Sequence, residues 1–340
     1  MKEPGSYSPA PINLDEFSFF TDPIEKATSQ VGQPDPPDSR EAPLTPVPGG
    51  TISGSSDCSN PTVKRSGTYY ATAADGVTPT GAPIQVTGCV SFGTPGDPFS
   101  NFVFVGGLHL PSTQSVVKVQ PGRYIVAGAQ RNTDAFYMHN GASLIDQTPL
   151  INGNAGPNSD MGEIFVFTDT KYPGLEWLPQ SIKDLGLGYG RVEVQTGSND
   201  NSEIILHGLN GRDPVLKAAL PDDLQNFTPI VFYVDQGNSR IDYDNGVIQK
   251  PGDPGCTQEP CLSDTEEIAD PMMMIQSSPN FDVYGTVYLP RGASLEFQGS
   301  GTIDSPTQFI FGTMRLGGGA QLNPTPLSPG FTYMTTVLVE

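Results

Sequence analysis

Short alternating runs of apolar residues, each ended by Gly or Pro, fill the last third of the chain. Residues 281–303, FDVYGTVYLPRGASLEFQGSGTI, show this pattern clearly. Aromatic and β-branched residues at every second place predict strands, and the Gly and Pro residues between them predict turns. Because runs this short leave no room for long helices, the pattern restricts the chain to a fold built of many short strands.

The composition supports the same fold class over the whole chain. There are 39 Gly and 34 Pro among 340 residues, and only 16% of residues are charged. Runs such as FVFV at 102–105 and IVFYV at 230–234 are apolar at every place, which indicates strands buried on both faces. Only two segments predict helices, at 178–186 and 213–221, and both are short. We therefore predict an all-β fold with short helical loops.

The strand-and-turn unit recurs, which favours one particular all-β architecture. YGTVYLPRGAS, TQFIFGTMRLGGGAQ and, earlier, VVKVQPGRYIVAGAQ have the same form. Weak self-similarity of this kind is typical of a β-solenoid, in which one coil buries its inner face only by stacking on the next. A β-sandwich or jelly roll is the alternative, because it also gives short alternating strands.

Composition divides the chain into two regions. Residues 1–55 are predicted to form a Pro-rich extended arm or linker, because PDPPDSREAPLTPVPGG has no periodic apolar pattern. Residues 56–340 are predicted to form the β-rich, solenoid-like domain. The start lacks the apolar core of a signal peptide, and no stretch reaches the roughly 18 apolar residues of a membrane helix. We expect no membrane span and, if the protein is exported, a mature or truncated ectodomain.

The charge balance excludes some partners. The chain has 37 Asp and Glu against 17 Lys and Arg, a net charge of −20. Binding to nucleic acid needs clustered cations on one face, so we predict no nucleic-acid partner. An anionic membrane surface would also repel the chain.

The four cysteines predict disulfides. They are even in number and lie in loop-like contexts, which is typical of an oxidising compartment. Free buried thiols are the alternative, and zinc bound by cysteines is disfavoured because no histidine lies near them. The pairing is left open by the sequence. The predicted disulfide residues are Cys58, Cys89, Cys256 and Cys261.

Three longer elements carry a family resemblance. They are PIVFYVDQGNS at 229–239, YGTVYLPRGASLEFQG at 284–299 and PTQFIFGTMRLGGGAQL at 306–322, with VQPGRYIV at 119–126 as an earlier match. Together they resemble the C-terminal extracytoplasmic region of TadG-like Flp pilus-assembly proteins, over roughly residues 100–130 and 225–325. The resemblance implies a right-handed parallel β-helix outside the cytoplasmic membrane. The chain departs from the family in lacking an N-terminal membrane helix and a D-x-S-x-S motif.

A carbohydrate-active enzyme is the main competing hypothesis. Polygalacturonase-type hydrolases use Asn-Thr-Asp, Asp-Asp and Gly-His-Gly motifs, because inverting hydrolysis needs carboxylates on both sides of the sugar bond. This chain contains partial matches to these motifs, but the order and spacing of the matches differ from those of the hydrolases. It also has no G-x-S-x-G nucleophile motif. We therefore predict no catalytic residues and no enzyme activity. The partial matches are Asn132-Thr133-Asp134, His207-Gly208 and Asp222-Asp223.

Structural calcium is the one cofactor that the sequence leaves open; otherwise none is expected. Three loops offer oxygen ligands, but none has the EF-hand spacing or a repeated Gly-Asp nonapeptide, so the metal ligands stay unknown. The loops are Asn158-Ser159-Asp160 with Glu163, Asn199-Asp200-Asn201 with Glu203, and Asp242–Asn245.

No group of residues in the sequence has the order and spacing of a catalytic site, which indicates a protein that acts by contact. We predict a structural or adhesive protein at the cell surface or secreted, associated with a pilus or self-assembling through its N-terminal arm. Its expected partners are surface proteins, copies of itself in an oligomer or filament, or polysaccharide. The alternative is a polysaccharide hydrolase or lyase built on a β-helix.

Overall fold

Strands make up nearly all the regular structure of the chain in a computed structural model. The structure describes residues 43–94, 99–130, 134–139, 141–147, 161–170, 173–188, 191–195, 203–211, 214–225, 227–234, 273–276, 280–289, 294–299, 302–305, 307–311, 313–318 and 321–324. The strands are β1 Leu44–Pro48, β2 Thr51–Ser53, β3 Thr62–Lys64, β4 Gly67–Thr72, β5 Ile84–Thr87, β6 Cys89–Phe92, β7 Ser100–Val105, β8 Leu108–Leu110, β9 Val116–Val119, β10 Gly122–Ala127, β11 Phe136–Met138, β12 Ser143–Asp146, β13 Glu163–Thr168, β14 Val192–Gln195, β15 Glu203–His207, β16 Ile230–Val234, β17 Met273–Gln276, β18 Asn280–Tyr284, β19 Thr286–Tyr288, β20 Ser294–Gln298, β21 Thr302–Ser305, β22 Gln308–Ile310, β23 Thr313–Gly317 and β24 Gln321–Pro324. Helices are confined to α1 Gln180–Lys183, α2 Pro214–Ala219 and the 3-10 turns Pro173–Leu175 and Asp222–Leu224 within these ranges.

The strands form three large parallel sheets, because each strand from β1 to β17 and β19 to β20 pairs with the third strand after it. Sheet A runs β1-β4-β7-β10-β13-β16-β19-β22 and sheet B runs β2-β5-β8-β11-β14-β17-β20-β23. Sheet C runs β3-β6-β9-β12-β15-β18, and β21 pairs with β24. The prediction of a mostly β fold with parallel strands and few helices is confirmed. A sandwich or jelly roll would need antiparallel pairing, whereas the paired strands described are all parallel.

Sharp corners divide several runs that the sequence predicts as single strands. Residues 83–92 form β5 and β6, residues 101–110 belong to β7 and β8, and residues 281–289 form β18 and β19. Gly88 stands between β5 and β6 with a φ of 72°, which a residue with a side chain adopts only with strain. The prediction of one strand across each run is therefore wrong, since the chain turns from one sheet to the next inside it.

The central strands of sheet A are buried on both faces. On their inner face, aromatic rings contact one another along the sheet from strand to strand, stacked or tilted. Ring centroids are 5.4 Å apart for Phe102 and Tyr124, 4.9 Å for Tyr124 and Phe165, and 5.6 Å for Phe165 and Phe232. Intervening residues such as Ile125 and Val166 are also buried, but in a second apolar cluster on the outer face. The prediction that these runs are apolar on both faces of a strand is confirmed.

The two helical segments cover the outer face of sheet A. Leu178 and Ile182 from the first segment, and Leu220 from the second, are buried in the second apolar cluster. Arg123 of β10 donates to Asp223 at 2.5 Å, so an ion pair joins the second segment to the sheet. Both predicted helices are confirmed as single short turns.

The first described strands lie inside the range predicted as an arm. β1 pairs with β4, and β2 pairs with β5. Residues 1–42, and the C-terminal run at 333–339, lie outside the described residues. Within the described ranges, no helix has both the length and the apolar character to cross a membrane.

One of the predicted disulfides is present, between Cys58 and Cys89. The bond joins the loop before β3 to the first residue of β6, with the Cα atoms 5.2 Å apart. Cys89 is buried, at 1% exposure. Cys256 and Cys261 lie outside the described residues.

Removing this disulfide is expected to destabilise the first strands of the three sheets. Replacing both Cys58 and Cys89 by alanine releases a loop of 31 residues in the unfolded chain, which should lower the free energy of unfolding by about 3 kcal/mol. The urea midpoint measures the loss. Ser59→Ala, a change in the same loop that keeps the bond, is the control, and an equal loss in the control would contradict the prediction.

Candidate functional site

Three ionisable side chains meet at the corner where sheet C leads into sheet A. Asp146 is the last residue of β12, Glu163 is the first of β13, and His207 is the last of β15. One potential ligand atom from each side chain lies within 4.8 Å of those of the other two. Residues from two successive layers of strands thus converge on one point, because β12 and β15 are neighbours in sheet C and β13 is the next strand of sheet A after β10.

The two carboxylates occupy positions that the strand pattern reserves for the core. Asp146 is paired with Val119 of the neighbouring strand in sheet C, and Val119 is paired with Phe92 of the strand beyond it. Glu163 lies two residues before Phe165, on the same face of β13. Asp146 is 6% exposed and Glu163 is fully buried, at 0%. Burying a carboxylate costs several kcal/mol unless its oxygens find partners, so these positions need an explanation.

Hydrogen bonds leave one carboxylate oxygen of the described cluster, on Glu163, without a partner. The backbone N–H of His207 donates to Glu163 Oε1 at 2.6 Å, and His207 Nδ1 lies 3.1 Å from Asp146 Oδ2. Glu163 Oε2 is buried without a hydrogen-bond partner in the described structure. Burial raises the pKa of Glu163 well above its usual range, the negative charge of Asp146 adds to this, and the His207 amide opposes it.

Aromatic contacts fix the outer and inner sides of the cluster. The ring of His207 stacks on Tyr284 of β18, with centroids 4.7 Å apart and planes 4° apart. The His207 side chain is 26% exposed and Tyr284 is 42% exposed. On the inner side, the buried hydroxyl of Tyr124 donates to the Gln120 carbonyl at 2.5 Å, and burial followed by the charge of Glu163 raises its pKa. The cluster therefore meets solvent on the imidazole side.

Close backbone packing brings the two layers together at this corner. Gly162 has a φ of 72°, and a Cβ placed on it would lie 2.2 Å from the Gly208 carbonyl oxygen. Only glycine allows this approach, which places Glu163 against the amide of His207. The geometry of the cluster thus depends on the residue before Glu163 as well as on its own side chains.

The three partial hydrolase motifs do not form one site. Asp134 is paired with Arg191, with Nε and Oδ1 2.7 Å apart, and Asp223 is paired with Arg123. His207 lies in the corner cluster with Asp146 and Glu163, and Asn132 and Thr133 lie outside the described residues. Each motif has different partners on a different part of the fold, so the described members supply no shared groove.

The cluster was only partly predictable. Glu163 was among the oxygen ligands that the sequence offers for calcium. Of the others, Glu203 lies at the opposite end of β15 from His207, and the rest lie outside the described residues. Asp146 was missed because β12 was not predicted as a strand. The available signal was the alternation of Leu144 and Asp146, which puts an acid in the row of a buried leucine.

The structure defines a parallel β protein of three sheets with a buried Asp–Glu–His cluster at one corner. Compared with known proteins, the chain matches no protein-family model, no curated protein and no solved structure.

Proposed function

We propose that the chain is a right-handed parallel β-helix that acts as an extracytoplasmic structural protein, by contact and by assembly with copies of itself. Support for the helix comes from the regular pairing of each strand with the third strand after it. Connections between parallel strands of one sheet are nearly always right-handed. The Cys58–Cys89 bond and the resemblance to the TadG-like region support a place outside the cytoplasm.

Exposed apolar residues on edge strands are the observation that carries the proposal of self-assembly. β3 is at the edge of sheet C and β23 is at the edge of sheet B, at opposite ends of the strand order. Val63 of β3 is 46% exposed and Leu316 of β23 is 49% exposed. An open strand edge with apolar side chains is a template for pairing with another chain. End-to-end contact between copies would cover both edges.

Charged substitutions on these edges test the proposal. We expect the wild-type chain to form oligomers or filaments that grow with concentration, seen by light scattering and negative-stain imaging. Val63→Lys combined with Leu316→Lys should shift the population to monomer, because lysine on an edge strand blocks pairing. The matched control is Val215→Lys, a residue of α2 that is 77% exposed and away from the edges. A wild-type chain that stays monomeric, or edge variants that still assemble, would overturn the proposal.

A carbohydrate-active enzyme remains the second candidate because Asp146 and Glu163 bring two carboxylates together. Their burial weighs against it, since a fully buried Glu163 cannot touch a sugar bond in a polymer. The assay is the release of reducing sugar from a panel of polysaccharides. Release that is lost in Glu163→Gln and kept in Glu203→Gln would favour the enzyme over the structural protein.

A further inference from the structure

The unpartnered oxygen of Glu163 is the starting point. A carboxylate that is 0% exposed has one oxygen satisfied by the His207 amide and the other, Oε2, without a hydrogen-bond partner. Buried polar atoms in native proteins nearly always have a partner, and an ion is one of the recognised explanations when none is seen. Glu163 lies in one cluster with the Asp146 carboxylate and the His207 imidazole, so a cation bound among them would give Oε2 a partner.

We propose that Asp146, Glu163 and His207 form a binding site for Zn²⁺ that joins two successive layers of strands. One imidazole nitrogen and two carboxylate oxygens are ligands that zinc accepts, with a fourth position for water. Calcium prefers six to eight oxygens, which a three-residue site with a nitrogen does not supply. Two carboxylates and one divalent cation also leave the buried corner without net charge.

The observed distances suit such a site. In a tetrahedral zinc site with bonds of about 2.0–2.1 Å, neighbouring ligand atoms are about 3.3 Å apart. His207 Nδ1 and Asp146 Oδ2 are 3.1 Å apart, and all the ligand atoms lie within 4.8 Å. A closing movement of roughly 1.5 Å between the widest pair would therefore complete the three-ligand set. The stacking of His207 on Tyr284 holds the ring in place, as outer contacts do for metal-bound histidines.

The site would have a structural role. Asp146 ends one layer of strands, and Glu163 and His207 begin and end the next. A shared ion would fasten the two layers at a corner where neither carboxylate gains from hydrophobic packing. It would also explain why Asp146 stands beside the buried Val119 of the next strand, and why Glu163 shares a strand face with the buried Phe165.

Zinc binding to the full, tag-free chain tests this. After treatment with EDTA and its removal, titration calorimetry should show one high-affinity Zn²⁺ per chain. The melting temperature should rise by about 5 °C at roughly 100 times Kd. Glu163→Gln and His207→Gln should each weaken binding by at least about 100-fold, which is the upper range for loss of an outer-shell partner. Glu203→Gln is the matched control. It removes a carboxylate from β15, the strand that carries His207, at a position about 13 Å along the strand from His207.

Two further measurements keep the result clear if a variant folds poorly. Circular dichroism without metal checks the fold of each variant, and Co²⁺ added to the wild-type chain should give the intense visible absorption of a tetrahedral site. No Zn²⁺ binding by the wild-type chain would overturn the proposal. So would unchanged binding by folded Glu163→Gln or His207→Gln, or displacement of Zn²⁺ by an equal concentration of Ca²⁺.

Discussion

Phe165→Ala is expected to lower the free energy of unfolding by about 3–5 kcal/mol. Phe165 is fully buried at the centre of sheet A, with ring centroids 4.9 Å from Tyr124 and 5.6 Å from Phe232. Alanine removes the apolar area of the ring and leaves a cavity, since stacked rings above and below are held by their own strands and cannot close the gap. The urea midpoint and its slope measure the change.

Two other substitutions serve as comparisons for Phe165→Ala. Phe165→Leu keeps most of the apolar volume and should cost clearly less than Phe165→Ala. Val215→Ala, at a residue that is 77% exposed, should change the free energy of unfolding by less than about 0.5 kcal/mol. If Phe165→Ala were as harmless as Val215→Ala, the continuous aromatic stack through sheet A would be wrong.

Gly162→Ala is expected to cost about 4 kcal/mol, even though it adds a single methyl group. Two effects combine at this position. The φ of 72° strains any residue with a Cβ, and that Cβ would lie 2.2 Å from the Gly208 carbonyl oxygen. Because the obstacle is backbone and not a flexible side chain, one of the two layers must move. The same movement would pull Glu163 from the His207 amide.

Gly186→Ala separates the two effects. Gly186 has a φ of 61°, but a Cβ there would have no atom within 4 Å. This control should lose only the cost of the left-handed backbone, about 1 kcal/mol. Urea unfolding of both variants gives the comparison. Equal losses would show that the layers are not in close contact at Gly162.

Local sequence patterns explain why much of the fold was predictable. FVFV and IVFYV give strands buried on both faces whatever lies above or below them, and the two helices have clear ends. Corners were harder, because Gly106 and Gly285 interrupt runs that keep their alternating pattern across the turn. β17 was missed for a simpler reason, since its Met-Met-Ile-Gln sequence has one β-branched residue and no aromatic one, fewer than a typical strand.

The corner cluster depends on information that a sequence does not carry locally. Asp146 and His207 are far apart in the chain, and they meet because β12 and β15 are neighbours in sheet C with a fixed register. An offset of one residue in that register would reverse the face on which each side chain lies. Sequence alone could mark Asp146 as an acid in an apolar row, but not name the residues that share its corner.

The pairing of each strand with the third one after it also governs how such a protein tolerates change. Residues 235–272 stand between β16 and β17, yet β17 pairs in register with β14 on one side and β20 on the other. Segments of very different length can therefore be inserted at a corner without disturbing the ladder, since each layer is held by its neighbours and not by the length of its connections. Over evolutionary time, the corners are where a chain of this kind can acquire new loops while its sheets stay the same.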